Sequence, residues 1–211
     1  FVPAPEGLDP ISAALTPITF GTVEHMLFDN AKLHPGESIL VQAGGSGIGT
    51  AAIQMAKAID CTVYTTVGND EKAQQALDLG ADHAINYREE RFEGRVRRLT
   101  KKQGVDVVFE HVGVDTWVGS MFSMKVGGRL VTCGSTTGIK ADINLFHLFQ
   151  RQLRLIGSFG CTMRNIASSL EKLASGQVHP VIDLEVPMEE IEKGLERLEN
   201  RQVFGKIIVT V

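Results

Sequence analysis

The chain has 211 residues, with 21 Lys plus Arg against 25 Asp plus Glu, a net charge of −4, and 43% apolar and 6% aromatic residues. This near-average composition excludes collagen, a disordered tail and a disulfide-dense scaffold. No run approaches the roughly 20 unbroken apolar residues of a membrane helix, and a mildly acidic chain lacks the positive field of a nucleic-acid binder, so neither membrane nor nucleic acid is an expected partner.

After a Pro-rich entry, a helix is expected from about Thr22 to Lys32, stopped by the turn signal His34-Pro35-Gly36. Ser38-Ile39-Leu40-Val41 reads as a short apolar strand of the kind covered on both faces. A Gly-rich turn follows, and then Ile48, Ala51, Ala52, Met55, Ala56 and Ile59 recur along one face of a helix. The alternation continues with strand 61–67, helix 71–79 ended by Gly80, strand 83–87, a charged helix near 93–102, strand 105–110, helix 116–124 and strand 129–133. Strands separated by helices of about ten residues imply right-handed crossovers and a parallel sheet, a doubly wound α/β Rossmann fold. Beyond Gly138 the pattern weakens to a strand candidate at 153–157, a helix through Ile166, Leu170 and Leu173 closed near Gly176, an amphipathic helix 190–199 and a last strand at 207–209. These form a helical and strand return at the carboxyl end.

The basic run Arg95-Val96-Arg97-Arg98 with Lys101-Lys102 fits a solvated helix face. Cys61, Cys133 and Cys161 are odd in number and far apart, which suits free thiols in a reducing, cytoplasmic setting. The opening Phe1-Val2-Pro3-Ala4-Pro5 has neither an initiator Met nor the regions of a signal peptide, and it reads as the start of a piece of a longer protein.

The informative segment is Val41-Gln42-Ala43-Gly44-Gly45-Ser46-Gly47-Ile48-Gly49. Glycines between a strand and a helix permit a tight turn and let the backbone approach a pyrophosphate, while the unpaired helix N–H groups face the anion. A strict G-x-G-x-x-G is not met, because counting from Gly44 the third position is Ser46; Gly44, Gly47 and Gly49 remain. A P-loop needs Lys where Thr50 stands, and a nucleophile elbow needs Gly where Ile48 stands. None of the six His pairs with another His or a Cys at helical metal-site spacing, so no metal site is expected. Glu110-His111 closes a strand where ligands of open sheets bind, but neighbouring strand residues point to opposite faces, which argues against one acid/base dyad.

Cofactor choice is read at the end of the second strand. NAD sites place an acid there, roughly 20 residues after the glycine turn, whereas Tyr64-Thr65-Thr66-Val67-Gly68-Asn69 has none. Asp70 and Glu71 suit the start of the next helix, with Asn69 or Asp70 as its cap, and Lys72 stands against the helix dipole unless an anion lies close. A 2′-phosphate is such an anion, so NADP(H) is expected.

The chain resembles the medium-chain dehydrogenase/reductase superfamily, and within it the zinc-independent quinone oxidoreductase and enoyl reductase branches. The resemblance covers nearly the whole chain: residues 33–41 leading into 44–49, then Ala52-Ile53-Gln54, Leu79-Gly80-Ala81-Asp82, Ile85-Asn86-Tyr87-Arg88, Gly127-Gly128-Arg129 and Gly205-Lys206-Ile207-Ile208-Val209. It implies that residues 1–21 end a missing GroES-like catalytic domain, 22–160 form the dinucleotide-binding domain and 161–211 a return that packs on the catalytic domain. It further implies that Gly44, Gly45, Ser46, Gly47 and Gly49 cradle the pyrophosphate and that Thr22 and Ile48 lie beside the nicotinamide. Val112 and Gly113 would line the ribose, and Gly134, Ser135, Phe159 and Gly160 would hold the carboxamide. Lys72 and Tyr87 would meet the 2′-phosphate near Asn69. Family members often carry Tyr where this chain has Glu24.

The implied reaction is hydride transfer from NADPH to an α,β-unsaturated carbonyl, quinone or enoyl thioester, with the catalytic residues upstream and unknown and this segment alone inactive. A zinc-dependent alcohol dehydrogenase relative and a non-catalytic nucleotide-binding protein remain as alternatives; no Cys precedes Cys61, against a catalytic zinc of the zinc-dependent kind. A homodimer is expected through the apolar edge from Leu153 to Ser158.

Overall fold

Alternating short apolar strands with capped helices folds this chain around one parallel sheet. The computed structural model describes all 211 residues. Its strands are β1 (Ser38–Val41), β2 (Thr62–Val67), β3 (His83–Asn86), β4 (Val105–Glu110), β5 (Met124–Thr132) and β6 (Arg154–Gly157), hydrogen-bonded in the order β3-β2-β1-β4-β5-β6. All five pairings are parallel. The order reverses between β1 and β4, which opens a crevice at their carboxyl ends.

Side chains alternate across the sheet and fill two cores. Ile39 and Val41 join Val63, Phe109 and the buried face of α3 (Gly47–Lys57), whereas Leu40 joins Tyr64, Val108 and Leu130 on the opposite face. That second core is covered by α5 (Phe92–Leu99) and α6 (Val114–Ser123), while α4 (Asp70–Asp78) buries Ala76 in the first. The doubly wound arrangement expected from the alternation is therefore present.

The entry differs from its reading. Helical structure begins at Pro10, not near Thr22, because Asp9 accepts from Ser12 N at 2.9 Å and Pro10 sits at the first helical position. It runs as α1 (Pro10–Leu15), a π turn at Thr16–Phe20, α2 (Gly21–Glu24) and a second π turn at His25–Asn30. Two further elements went unread: α7 (Leu145–Gln150), capped by the Asn144 side chain, and β7 (Ile182–Pro187). After α8 (Met163–Ala174), β7 leads through α9 (Ile191–Glu199) to β8 (Lys206–Thr210), and the two strands pair in parallel as a separate sheet. This return is fastened to the main body by Gln54 of α3, whose amide donates to His179 O and accepts from His179 N, each at 2.9 Å.

Candidate cofactor site

The turn between β1 and α3 is built so that little but glycine fits. A Cβ on Gly44 would come within 3.1 Å of Thr65 Cβ, and one on Gly49 within 2.9 Å of Gly44 Cα. Ser46 caps α3 by accepting from Gly49 N at 3.0 Å, and Thr50 N bonds to Ser46 O. The N–H groups of Gly47 and Ile48 thus keep the free, outward orientation of a helix start.

Beside this turn lies a cleft of about 470 Å³ whose walls include Gly45, Ser46, Gly47, Gly68, Lys72, Tyr87, Arg201 and Lys206. Lys206, quoted above only as part of a motif, reaches in from β8. Burial alone pushes its ammonium below the usual lysine range, and no carboxylate offsets this. A partly buried cation with no carboxylate beside it suits an anion in that cleft. Its place in the cleft is not visible in sequence because Gly47 and Lys206 meet only through the folding of the return onto the turn, where Gly205 N donates to Gly45 O at 2.8 Å.

Lys72 meets the cleft differently from its sequence reading. Its Nζ donates to the carbonyls of Arg201 and Val203, both at 2.7 Å, and with the nearby carboxylates of Asp183 and Glu71 these oxygens already offset the unfavourable dipole position. Desolvation lowers its pKa. Asn69 is the helix cap, accepting from Lys72 N at 2.8 Å, and Asp70 accepts from the Asn86 amide at 2.9 Å. The Tyr87 hydroxyl lies next to Gly68 in the same cleft.

At the end of β4, Glu110 is fully buried and accepts four hydrogen bonds, from Val112 N, Gly113 N, Thr116 Oγ1 and Ser120 Oγ. Ser120 also accepts from Gln42, whose oxygen accepts from Thr66. This chain of bonds sets the Val112-Gly113 loop, where Gly113 adopts φ of 104°. His111 turns the other way: its Nε2 lies 2.9 Å from the Gln42 carbonyl, which only accepts, so Nε2 bears the hydrogen. Burial pushes its pKa below 6.5 and keeps the ring neutral.

The segment through Gly134 and Ser135 packs against this loop, since a Cβ on Gly113 would lie 3.1 Å from Ser135 Cα and one on Gly134 2.9 Å from His111 O. Phe159 is fully solvent-facing, with Gly160 exposed beside it. Thr22 and Ile48 are half-buried. The helix bearing Thr22 reaches the 158–161 segment through Asn30 Nδ2, which donates to Ser158 Oγ at 3.0 Å, and through Cys161 Sγ on Pro17 O. Glu24 is turned away into α8, where Ser168 donates at 2.7 Å and Lys172 pairs at 2.9 Å. The expected residues therefore fall along one edge of the sheet, from Tyr87 and Lys72 at β2 and β3 to Phe159 beyond β6.

Sheet order, glycine turn and cationic cleft are those of a Rossmann dinucleotide-binding domain. Residues 47–175 match a family described as zinc-binding dehydrogenase. This chain belongs to that family, within the medium-chain dehydrogenases and reductases. No three His, Cys, Asp or Glu side chains of the chain gather into a metal-holding group, and no helix is long and apolar enough to cross a membrane. Quinone oxidoreductase 1 of Escherichia coli is 31% identical over 199 residues, covering 89% of this chain and 61% of its own length. A solved NAD-dependent alcohol dehydrogenase superposes with a TM-score of 0.92 at 35% identity, covering 100% of this chain and 61% of that one. The 2-octenoyl-CoA carboxylase reductase CinF, solved with NADP and 2-octenoyl-CoA, gives 0.88 at 26% identity over 99% of this chain and 51% of that one. The chain thus spans roughly three fifths or less of these relatives.

Proposed function

We propose that this chain is the cofactor domain of an NADPH-dependent reductase acting on an α,β-unsaturated carbonyl, an enoyl thioester or quinone among them. The observation that carries this reading is the pair of desolvated lysines, Lys72 and Lys206, in one cleft with the glycine turn. When bound there, NADPH supplies the hydride. The free N–H groups of Gly47 and Ile48 with the Lys206 ammonium hold the pyrophosphate, while Lys72, Tyr87 and Asn69 face the 2′-phosphate. Val112 and Gly113, set by Glu110, line the nicotinamide ribose. Gly134, Ser135, Phe159 and Gly160 present backbone groups to the carboxamide, with Thr22 and Ile48 against the ring.

Residues 1–21 lead out of a separate catalytic domain, although the helical run from Pro10 already packs Phe20 into the core of the 22–160 cofactor domain; residues 161–211 pack on that catalytic domain, which closes the site against water. This segment alone therefore binds cofactor and turns over little. The full-length protein, assayed for NADPH oxidation with 2-enoyl-CoA, quinone and alcohol substrates, tests this; activity only on alcohols overturns it. A second reading, an NAD-using alcohol dehydrogenase, is favoured by the similarity to the solved enzyme of that description. Against it, Asn69 and Asp70 at the end of β2 are engaged in capping α4 and in bonding Asn86.

We also propose a homodimer. β6 pairs only with β5, which leaves its outer edge open, and Leu145, Phe146 and Phe149 on α7 are exposed. Light scattering is expected to give a dimer for the wild type and a monomer for Ile156→Pro; a wild-type monomer at micromolar concentration overturns this.

A further inference from the structure

The carboxyl-terminal return closes on the glycine turn at three points. Gly205 N bonds to Gly45 O at 2.8 Å, the Phe204 ring packs where a Gly45 Cβ would stand 3.1 Å away, and Lys72 reaches out of α4 to the Arg201 and Val203 carbonyls. The last is unusual in sense. A lysine in the first turn of α4 is held by acceptors 129 and 131 residues further along the chain. An ammonium has three donors in tetrahedral array, and only two are engaged.

We propose that Lys72 is a shared fastening between the return and the cofactor: two donors hold the Arg201 and Val203 carbonyls, and the third serves the 2′-phosphate. This rests on the NADPH reading above. Its physical basis is ordering. A free lysine side chain must surrender rotamer freedom to grip a phosphate. Here the return has already fixed the ammonium at the cleft, so the phosphate meets a prepared donor. By linkage the phosphate, in turn, holds the return closed. The two carbonyls act through Lys72 as positioning groups for cofactor discrimination.

The measurement is amide hydrogen exchange at Phe204, Gly205 and Lys206, whose N–H groups bond to Asp183 Oδ1, Gly45 O and Val181 O. In ligand-free protein, Lys72→Met is expected to speed exchange there by about tenfold or more while β1 stays protected. Adding 2′,5′-ADP, which differs from 5′-AMP only by its 2′-phosphate, is expected to slow exchange in the wild type more than 5′-AMP does, and to lose that advantage in Lys72→Met. Unchanged exchange in ligand-free Lys72→Met overturns the fastening. Tighter binding of 2′,5′-ADP than of 5′-AMP with equal protection overturns the coupling and leaves the NADPH reading intact. Equal affinity for the two overturns that reading and the coupling with it.

Discussion

The aliphatic stem of Lys206 lies across Gly47: a Cβ on that glycine would come within 2.6 Å of Lys206 Cδ and 2.9 Å of Cγ. Gly47 is thus pressed on by a side chain of β8, from the far end of the chain, and not by the backbone of its own turn. Gly49 is hemmed in by backbone instead, with Gly44 Cα at 2.9 Å. A lysine stem moves aside and a turn backbone does not.

Gly47→Ala is therefore expected to change stability by less than about 1 kcal/mol but to weaken NADPH binding about tenfold, by pushing the Lys206 ammonium off its place. Gly49→Ala is expected to destabilise by about 1–3 kcal/mol through overpacking. Urea unfolding and calorimetric titration of both variants separate the two. Equal stability loss in both contradicts this assignment of the glycines.

Glu110→Ala would strand two backbone N–H groups and two hydroxyls that now share one buried carboxylate. A loss of about 3–5 kcal/mol is expected in urea unfolding, from unsatisfied buried donors. The conservative His111→Gln, keeping a donor toward the Gln42 carbonyl, is expected to cost about 1 kcal/mol. A Glu110 variant as stable as the wild type would show the loop to be set by something else.

Much of this arrangement was legible in sequence. The strand, turn and helix over 38–57 follow from β-branched residues, glycines and a one-face apolar repeat, all local signals. The start at Pro10 was equally local, written in Asp9-Pro10, but the nearby prolines read as a loop. β7 was unreadable because Ile182–Pro187 alternates weakly and is only half-buried. The partners of Lys72 and the crossing of Gly47 by Lys206 were beyond reach for another reason: each joins residues well over a hundred positions apart, and no periodicity records such a meeting.

Cofactor affinity is expected to fall at alkaline pH. Burial holds Lys72 and Lys206 below the ordinary 10.5 in the free protein, and only their charged forms attract phosphate. Affinity for NADPH should then be level near neutrality and decline as pH rises through those depressed values, before 10.5 is reached. NADH keeps the pyrophosphate partner Lys206 and loses only the part due to Lys72, so its decline is shallower. Titrations from pH 7 to 10.5 check this, and identical profiles for the two cofactors contradict it.

The central claim, an NADPH site whose 2′-phosphate is met by Lys72, is tested most directly by the dissociation constants of NADPH and NADH for the wild type and for Lys72→Ala. NADPH is expected to bind at least about tenfold more tightly than NADH, and Lys72→Ala to remove most of that difference while weakening NADH little. Equal affinity of the wild type for the two cofactors, or a loss in Lys72→Ala that falls equally on both, would contradict it.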